Sequence, residues 1–355
     1  MVKDLLYVGS YSSENGDGIY ICRFDEASGN VHQAFPAVKA PNPSYLRFSG
    51  GNLYAVLETA EFEGIPGGGA ASYALRKDGR LTLINTLSSG GAGPCHLCIN
   101  RRQAKLYTAN YSDGSFSVLN LGTDGALLPR ASVVRHRGHG TDTVRQEGPH
   151  IHFTELTPDG RHLCTADLGL DRVIFYRLSP DGIPCEEDAA LSLPLAPGSG
   201  PRHALFGGCG NVLYILTELS GQLLVFRQTG EGYAQVQCLP TTPEDFQDQN
   251  YPSALRFSPD GRFICASNRG HDSLAVYRVR PDGTLAPCGI YPSGGKWPRD
   301  FAFSSDGNYV FAANERSNEI TVLHFDAENG SLQRTDMSQK LYRPTCIQVL
   351  KGGGI

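Results

Sequence analysis

Five charged side chains combine residue types that bind anions and move protons: His150, Glu218, Arg202, Arg269 and Arg299. A guanidinium group binds phosphate or carboxylate through its planar fork, so three arginines at one place would suit an anionic ligand. A histidine titrates near neutral pH and is the usual proton acceptor in catalysis. The alternative is a structural one, in which the arginines are neutralised in a buried ion network by Asp167, Glu218, Asp300 and Glu315.

An internal repeat indicates which elements hold these side chains. Six copies of one pattern follow each other: a proline, a short alternating run, a turn, a second apolar run and then a polar residue. A truncated seventh copy, RPTCIQVL, ends the series. The prolines are Pro43, Pro94, Pro149, Pro201, Pro252, Pro298 and Pro344. They are 46 to 55 residues apart, which is typical of one four-stranded propeller blade.

The two ends of the chain complement each other. The last copy stops after one strand, and the N-terminal segment supplies LLYVGSYS, GIYICRFD, the turn EASGNV and a last strand. Pairing the ends would complete this blade and remove the open edges of an unclosed array of sheets. We therefore predict an all-β protein, a single domain over residues 1–355. It is a seven-bladed β-propeller with four antiparallel strands per blade and one blade closed jointly by the N- and C-terminal strands.

Two positions of the repeat are predicted to reach one mouth of the central channel. The first follows the proline and is occupied by Ser44, Cys95, His96, His150, Arg202, His203, Ser253, Arg299, Asp300 and Thr345. The second ends the second apolar run and is occupied by Ser10, Glu58, Asn110, Asp167, Glu218, Asn268 and Asn314, with Arg269 and Glu315 just after it. Polar groups at strand ends also satisfy the backbone, so a structural role competes with ligand binding at each of them. For His96, His152 and His203 the structural role is favoured.

Composition excludes several classes of protein. The net charge is −5 without a basic run, which disfavours nucleic-acid binding. No apolar run approaches a membrane span, and MVKDLLYVGSYS is expected to form a strand instead of an export signal, so we predict a cytoplasmic protein. The ten cysteines are then expected to be reduced and mostly buried, and Cys95 and Cys98 lack a second pair for zinc. The glycine-rich IPGGGAAS and GGGI are expected to be a loop and a tail.

Long segments resemble the bacterial lactonase family of seven-bladed β-propellers, which includes 6-phosphogluconolactonases and is related to a carboxymuconate cyclase. The most specific are RQEGPHIH with DLGLDRV, GPRH, YPSALRFSPDGR with SNRGHDS, and WPRDFAF with AANERSN, and the resemblance extends over essentially the whole chain. By this resemblance the catalytic residues are His150, Arg202, Glu218 and Arg269. The candidate substrate-binding residues are His152, His203, Arg299, Asn268, Asn314 and Asp167. Glu315 stands where the family usually has glutamine.

The resemblance implies a hydrolase that opens a sugar δ-lactone. The leading candidate substrate is 6-phosphogluconolactone, a substrate of the pentose phosphate pathway. His150 would activate water with help from Glu218, and Arg202 or Arg269 would stabilise the oxyanion. The reverse assignment, with Glu218 as base and His150 as acid, stays open. Arg299, with Lys296, would hold the phosphate.

Two alternatives remain at this point. One is a muconolactone-type cyclase or an unphosphorylated aldonolactonase, and the other is a non-enzymatic propeller that binds a ligand or a protein. The expected partner is a small anionic sugar lactone, with no nucleic acid, membrane, metal or cofactor. The expected state is a monomer or weak homodimer, and residues 136–147 are a candidate lid.

Overall fold

The computed structural model describes residues 3–12, 17–25 and 30–352 of the chain. Within these stretches all regular structure is β-strand except one 3-10 turn, Gly208–Gly210. The predicted turn EASGNV and the tail GGGI lie mostly outside the described residues. Among the described residues, no helix has the length and apolar character that crossing a membrane requires.

The strands are given in chain order. The first three are β1 (Lys3–Ser10), β2 (Gly18–Asp25) and β3 (Asn30–Lys39). The next six are β4 (Leu46–Ser49), β5 (Asn52–Leu57), β6 (Glu61–Phe62), β7 (Ile65–Pro66), β8 (Gly69–Leu75) and β9 (Leu81–Ser88). Four more follow as β10 (Pro94–Asn100), β11 (Lys105–Asn110), β12 (Ser115–Leu121) and β13 (Leu127–Arg135). The next group is β14 (Ile151–Leu156), β15 (His162–Asp167), β16 (Arg172–Leu178), β17 (Pro184–Glu187) and β18 (Leu193–Pro194).

The remaining strands repeat the pattern three times and end with a single strand. One group is β19 (Pro201–Gly207), β20 (Val212–Thr217), β21 (Gln222–Thr229) and β22 (Gly232–Pro240). The next is β23 (Tyr251–Phe257), β24 (Phe263–Arg269), β25 (Ser273–Val279) and β26 (Leu285–Pro292). The last are β27 (Pro298–Phe303), β28 (Tyr309–Asn314), β29 (Glu319–Phe325), β30 (Leu332–Lys340) and β31 (Pro344–Leu350).

Seven antiparallel sheets are built from these strands. Their orders are β4-β5-β8-β9, β10-β11-β12-β13, β14-β15-β16-β17 with β18 also on β16, β19-β20-β21-β22, β23-β24-β25-β26, β27-β28-β29-β30 and β3-β2-β1-β31. β6 and β7 form a separate two-stranded hairpin. The sheets are the blades of the predicted seven-bladed β-propeller, so the predicted fold class is confirmed.

The last blade joins the two ends of the chain as predicted. β31 pairs with β1 in antiparallel register, so that Leu5 faces Leu350 and Val8 faces Ile347. The register shifts at Gly9, where an added Cβ would lie 2.1 Å from the main-chain oxygen of Pro43. Only glycine therefore fits at this point of the closing strand.

The described chain divides into two compact units. The first unit comprises Met1–Leu46, Arg76–Arg80 and Leu239–Ile355, and the second comprises Arg47–Leu75 and Leu81–Cys238. The first unit holds the three sheets that end in β26, β30 and β31, and the second unit holds the other four. Each unit has its own buried apolar clusters. The single domain over residues 1–355 stays a prediction.

Burial explains the strand sequences. Middle strands are covered on both faces and read as continuous apolar runs, as in VLYILT of β20, where all six residues are buried. Outer strands alternate between partly buried and exposed residues, as in LQRTDMSQK of β30. The polar residue that follows each middle strand is therefore placed where the apolar run stops.

One expectation needs correction. The glycine-rich segment IPGGGAAS is not a loop, because Ile65–Pro66 pairs with β6 and Gly69 begins β8. Gly68 and Gly69 are required for close packing, since an added Cβ would lie 2.1 Å from Pro94 and 2.6 Å from Phe62, respectively.

The prediction for the cysteines is confirmed. All ten are free thiols, and six of them are buried. Burial raises the pKa of Cys22 to about 12 and holds that of Cys98 well above its usual value. These buried thiols are inert small apolar groups of the core.

Candidate active site

His150 lies directly before β14, and its imidazole is held in one tautomer. Nδ1 is 2.9 Å from the main-chain oxygen of Tyr111, and because a carbonyl only accepts hydrogen bonds, Nδ1 carries the proton. The ring stacks on the Tyr111 phenol, with centroids 4.4 Å apart and planes inclined by 16°. Nε2 is 3.3 Å from Oε1 of Glu147. In the neutral imidazole the unprotonated nitrogen is thus Nε2, the atom that can accept a proton from water.

Asp167, at the end of β15, supports the backbone of His150. Its Oδ1 accepts hydrogen bonds from the His150 amide at 2.8 Å and the Leu170 amide at 3.1 Å. Its Oδ2 is 2.6 Å from Nδ1 of His136, whose Nε2 lies 2.8 Å from the Tyr176 hydroxyl. Asp167 is fully buried and all these partners are internal. The geometry shows that Asp167 supports the backbone of His150. A contact between Asp167 and the substrate stays a prediction.

Gly169 allows the segment that carries His150 to pack against the turn after β15. A Cβ at Gly169 would lie 1.9 Å from the Gly148 carbonyl oxygen and 2.8 Å from the His150 amide nitrogen. Any other residue would push this segment away from Asp167, so the glycine helps to set the position of the imidazole.

Glu218, one residue past β20, lies between two arginines. Its Oε1 accepts a hydrogen bond from Nη2 of Arg145 at 2.5 Å, and its Oε2 is 2.9 Å from Nε of Arg202. Glu218 and Arg202 are buried, whereas 33% of the Arg145 side chain is exposed. Burial alone would lower the pKa of Arg145, but the Glu218 carboxylate outweighs it and raises the pKa. Two cations favour the ionised form of Glu218 and make it a weak base, so the geometry favours His150 as the base.

The segment before His150 is fixed by a buried glutamine. The Gln146 amide nitrogen donates to the main-chain oxygen of Leu168 and to Oδ1 of Asp171, both at 2.8 Å. Its oxygen accepts from the amides of Thr141 and Asp142 at 3.1 Å. Gln146 separates Arg145 from Glu147 in the sequence, so one anchor positions both side chains. The candidate lid at residues 136–147 is therefore pinned at its C-terminal end.

Three histidines lie side by side on β10, β14 and β19. The ring of His203 is 5.4 Å from that of His96 and 5.8 Å from that of His152. Nε2 of His203 is 3.1 Å from Nη1 of Arg202, and because arginine only donates, this nitrogen is an acceptor. Nδ1 of His152 is 3.7 Å from the Cys95 thiol. In the part of the chain that is described, no group of three or more His, Cys, Asp and Glu is arranged to hold a metal ion.

The first unit contains the other predicted residues, beginning with Arg269 at the end of β24. Its Nε donates to the main-chain oxygen of Tyr251 at 2.9 Å, and its guanidinium is 5.6 Å from the ring centre of Trp297. The Arg316 guanidinium lies 3.3 Å from the centre of the same ring. The Trp297 amide donates to Asp272 at 2.7 Å, in a left-handed backbone conformation with φ of 65°. Arg269 is thus a buried cation held by a carbonyl and an aromatic face.

Arg299 belongs to a second cluster of the first unit. The guanidinium groups of Arg299 and Arg343 lie 5.0 Å and 4.9 Å from the ring centre of Tyr11. Glu315 accepts a hydrogen bond from Arg343 at 2.7 Å, and its other oxygen is 4.0 Å from Arg299. This cluster agrees with the structural alternative, in which acidic residues neutralise the arginines, because Glu315 neutralises part of the arginine charge. The side chain of Lys296 is exposed.

The two predicted asparagines are fully buried with internal partners. Asn268 donates to the main-chain oxygen of Thr241 at 2.6 Å, and its own oxygen accepts from Asn250 at 3.0 Å. Asn314 donates to the Thr321 hydroxyl at 2.9 Å. The geometry shows structural roles for both, and their contact with substrate stays a prediction.

Comparison with known proteins decides the family. The model of the family "Lactonase, 7-bladed beta-propeller" matches residues 5–349. The chain belongs to this lactonase family. The 6-phosphogluconolactonase of Bacillus subtilis is 33% identical to it over 356 residues, 99% of each sequence. The predicted family resemblance is therefore confirmed.

Solved structures agree with the lactonase assignment. The periplasmic gluconolactonase of Pseudomonas aeruginosa has a TM-score of 0.91 and 34% identity, with 98% of this chain and 99% of that chain covered. A Bacteroides fragilis protein, provisionally named 6-phosphogluconolactonase, has a TM-score of 0.89 and 32% identity, with 98% of both chains covered. The two names differ in whether the lactone carries a phosphate.

The second unit of this lactonase brings six predicted or newly found side chains into one connected group. From the predicted set come His150, Glu218 and Arg202, and the structure adds Arg145, Glu147 and Tyr111. The hydroxyl of Tyr111 is 3.5 Å from Nη2 of Arg145, which links the His150 pair to the Glu218 pair. The signal for the missed residues is in RQEGPHIH, where an arginine and a glutamate flank a glutamine just before the histidine.

Proposed function

We propose that the protein is a hydrolase that opens a sugar δ-lactone. The leading candidate substrate is 6-phospho-D-glucono-1,5-lactone, with 6-phosphogluconate as the product. The observation that carries the proposal is the fixed Nδ1–H tautomer of His150 next to the Arg145–Glu218–Arg202 ion network. The family and the names of the relatives support lactone hydrolysis.

The reaction needs an activated water and stabilisation of a developing negative charge. Nε2 of His150 takes a proton from water, and the resulting hydroxide attacks the lactone carbonyl carbon. The tetrahedral intermediate carries a negative oxygen, which the N–H groups of an arginine stabilise. The imidazolium then returns its proton to the ring oxygen as the C–O bond breaks, which leaves the open-chain acid. Of the two arginines that hold Glu218, Arg145 is better placed than Arg202 to contact the substrate, because its side chain is more exposed.

The phosphate of the substrate is the finer part of the proposal. The Bacillus relative is named for a phosphorylated lactone and the Pseudomonas relative for gluconolactone. Arg299 is the predicted phosphate ligand, and its partial neutralisation by Glu315 favours an unphosphorylated aldonolactone as second candidate. The value of kcat/KM for 6-phosphogluconolactone divided by the value for gluconolactone decides between them. A ratio well above one supports the phosphorylated substrate, and a ratio near or below one supports the aldonolactone.

The cellular setting completes the proposal. We place the protein in the cytoplasm as a monomer or weak homodimer that acts without nucleic acid or membrane. The Pseudomonas relative is named as periplasmic, so fractionation of the native host is the direct test of location.

The activity test compares hydrolysis of freshly generated 6-phosphogluconolactone by the wild type and by His150→Ala, both treated with chelator. We expect fast hydrolysis by the wild type and a loss of about 10²–10⁴-fold in His150→Ala, because a general base contributes that much. His139→Ala is the matched control, since His139 is an exposed histidine of the preceding loop. Arg269→Ala tests the predicted catalytic role of Arg269 in the same assay. A wild-type rate equal to spontaneous hydrolysis would overturn the proposal.

A further inference from the structure

Glu147 is the one carboxylate that an ion-pair distance joins to His150 among the described residues. Its Oε1 is 3.3 Å from Nε2, the nitrogen without a proton in the neutral ring, because Nδ1 donates to the Tyr111 carbonyl. An unprotonated Nε2 turns its lone pair toward a carboxylate, whereas a protonated Nε2 donates a charged hydrogen bond to it. The contact therefore favours the imidazolium form of His150 over the neutral form.

Other charged groups near His150 are already occupied. Asp167, at the end of β15, faces the His150 amide and is paired with His136. Arg145, on the same loop as Glu147, is paired with Glu218. Tyr111, directly after β11, presents a phenol whose pKa burial raises, so it stays neutral near physiological pH. Of these groups, Glu147 is thus the charged side chain that is in contact with Nε2.

The position of Glu147 is set by the fold and not by the ion pair alone. The neighbouring Gln146 is fully buried and makes hydrogen bonds to Leu168, Asp171 and the loop backbone. The Glu147 side chain itself is 57% exposed. A replacement at Glu147 therefore removes the charge while Gln146 keeps the loop in place.

We propose that Glu147 is a positioning residue for the base: it orients the His150 ring and stabilises the proton that Nε2 takes from water. The proposal rests on the proposed function for its catalytic meaning, but the charge coupling itself does not require activity. The pKa of Glu147 is lowered by a hydrogen bond from its own amide and by the side chain of His150, which agrees with this pairing. The Glu147 carboxylate is then ionised near neutral pH.

The sign of the effect follows from the contact. A carboxylate at Nε2 stabilises the imidazolium form of His150, and the base acts only when the imidazole is neutral. Removing the charge moves the acid limb of kcat/KM to lower pH. Because Glu147 is more than half exposed and screened by water and salt, we expect a shift of about 0.5–1 pH unit, the low end for a neighbouring charge.

The experiment uses Glu147→Gln and observes His150 directly. Proton and carbon NMR of the protein labelled at histidine Cε1 gives the titration midpoint of His150, whose signal is the one missing in His150→Gln. We expect the midpoint to fall by about 0.5–1 pH unit in Glu147→Gln and the acid limb of kcat/KM to fall with it. Glu186→Gln, which removes a carboxylate of the second unit that is 69% exposed, is the matched control and leaves both unchanged.

The outcomes separate the two proposals. An unchanged His150 midpoint in Glu147→Gln overturns the role of Glu147, whatever the activity. A lowered midpoint in a protein that hydrolyses no lactone supports the coupling and overturns the proposed function. A lower rate in Glu147→Gln with unmoved midpoint and pH profile shows a merely structural role and also overturns the inference.

Discussion

At the scale of single residues, protonation states are fixed by partners that can only donate or only accept. A main-chain carbonyl makes Nδ1 of His150 a donor, and a guanidinium makes Nε2 of His203 an acceptor. Two guanidinium groups hold the carboxylate of Glu218. The group that is left to change its charge during a reaction is His150, which is why the base is assigned to it.

Asp167 gives the first prediction at this scale. Asp167→Ala removes the acceptor of three N–H groups, that of His150, which is buried, and those of Leu170 and His136, which are partly buried. Since each unsatisfied buried donor costs about 1–3 kcal/mol, we expect the free energy of unfolding to fall by about 3 kcal/mol or more. Urea unfolding measures it. Asp181→Ala, at an exposed aspartate, is the control, and equal stability of the two variants would show that Asp167 is not the support described above.

At the scale of elements, the connection from β13 to β14 contributes more of the side chains around His150 than any single strand does. It contributes Arg145 and Glu147, and Gln146 fixes both by filling its hydrogen-bonding capacity inside the protein. Asp171, which accepts from Gln146, also accepts from the amides of Gly198 and Gly200, the latter two residues before Arg202. Two segments that carry arginines of the Glu218 network thus share one anchor.

Gln146→Ala tests this anchor. The variant loses four hydrogen bonds, so the loop opens more often and becomes accessible to protease. We expect trypsin to cleave after Arg137 or Arg145 at least about tenfold faster than in the wild type, because each lost hydrogen bond costs about 1 kcal/mol. Mass spectrometry of the early fragments locates the cut. Gln33→Ala, at an exposed glutamine of β3, serves as reference, and equal cleavage of both would contradict the anchoring role.

The strands could be predicted from the sequence, and the loop geometry could not. The proline-to-polar repeat and the complementary ends predict the sheets and the pairing of β1 with β31, because an incomplete seventh copy at one end matches the extra strands at the other. Arg145 and Glu147 lie outside the repeat, so the alignment of copies gives them no position. Their role depends on how Gln146 folds the loop, which is a tertiary effect. IPGGGAAS was predicted wrongly because its glycines signal close packing as well as turns.

At the scale of the whole molecule, the path of the chain bears on cooperativity. The chain passes from one unit to the other four times, after Leu46, Leu75, Arg80 and Cys238. Neither unit is one continuous segment, and the first unit needs both ends of the chain for the sheet β3-β2-β1-β31. Whether the two units unfold as the predicted single domain is a question of cooperativity, which unfolding measures directly.

A pair of matched substitutions tests the single domain. Ile347 in the first unit and Ile215 in the second are both fully buried, and Ile→Ala in a core costs about 2–5 kcal/mol. For one cooperative domain, Ile347→Ala and Ile215→Ala each shift one and the same thermal transition to lower temperature, as measured by calorimetry. Two transitions, each moved by only one of the variants, would show two domains and refute the prediction. Gln348→Ala, beside Ile347 on the partly exposed face of β31, is the control, and its smaller effect shows that the shift comes from the core and not from the closing strand as such.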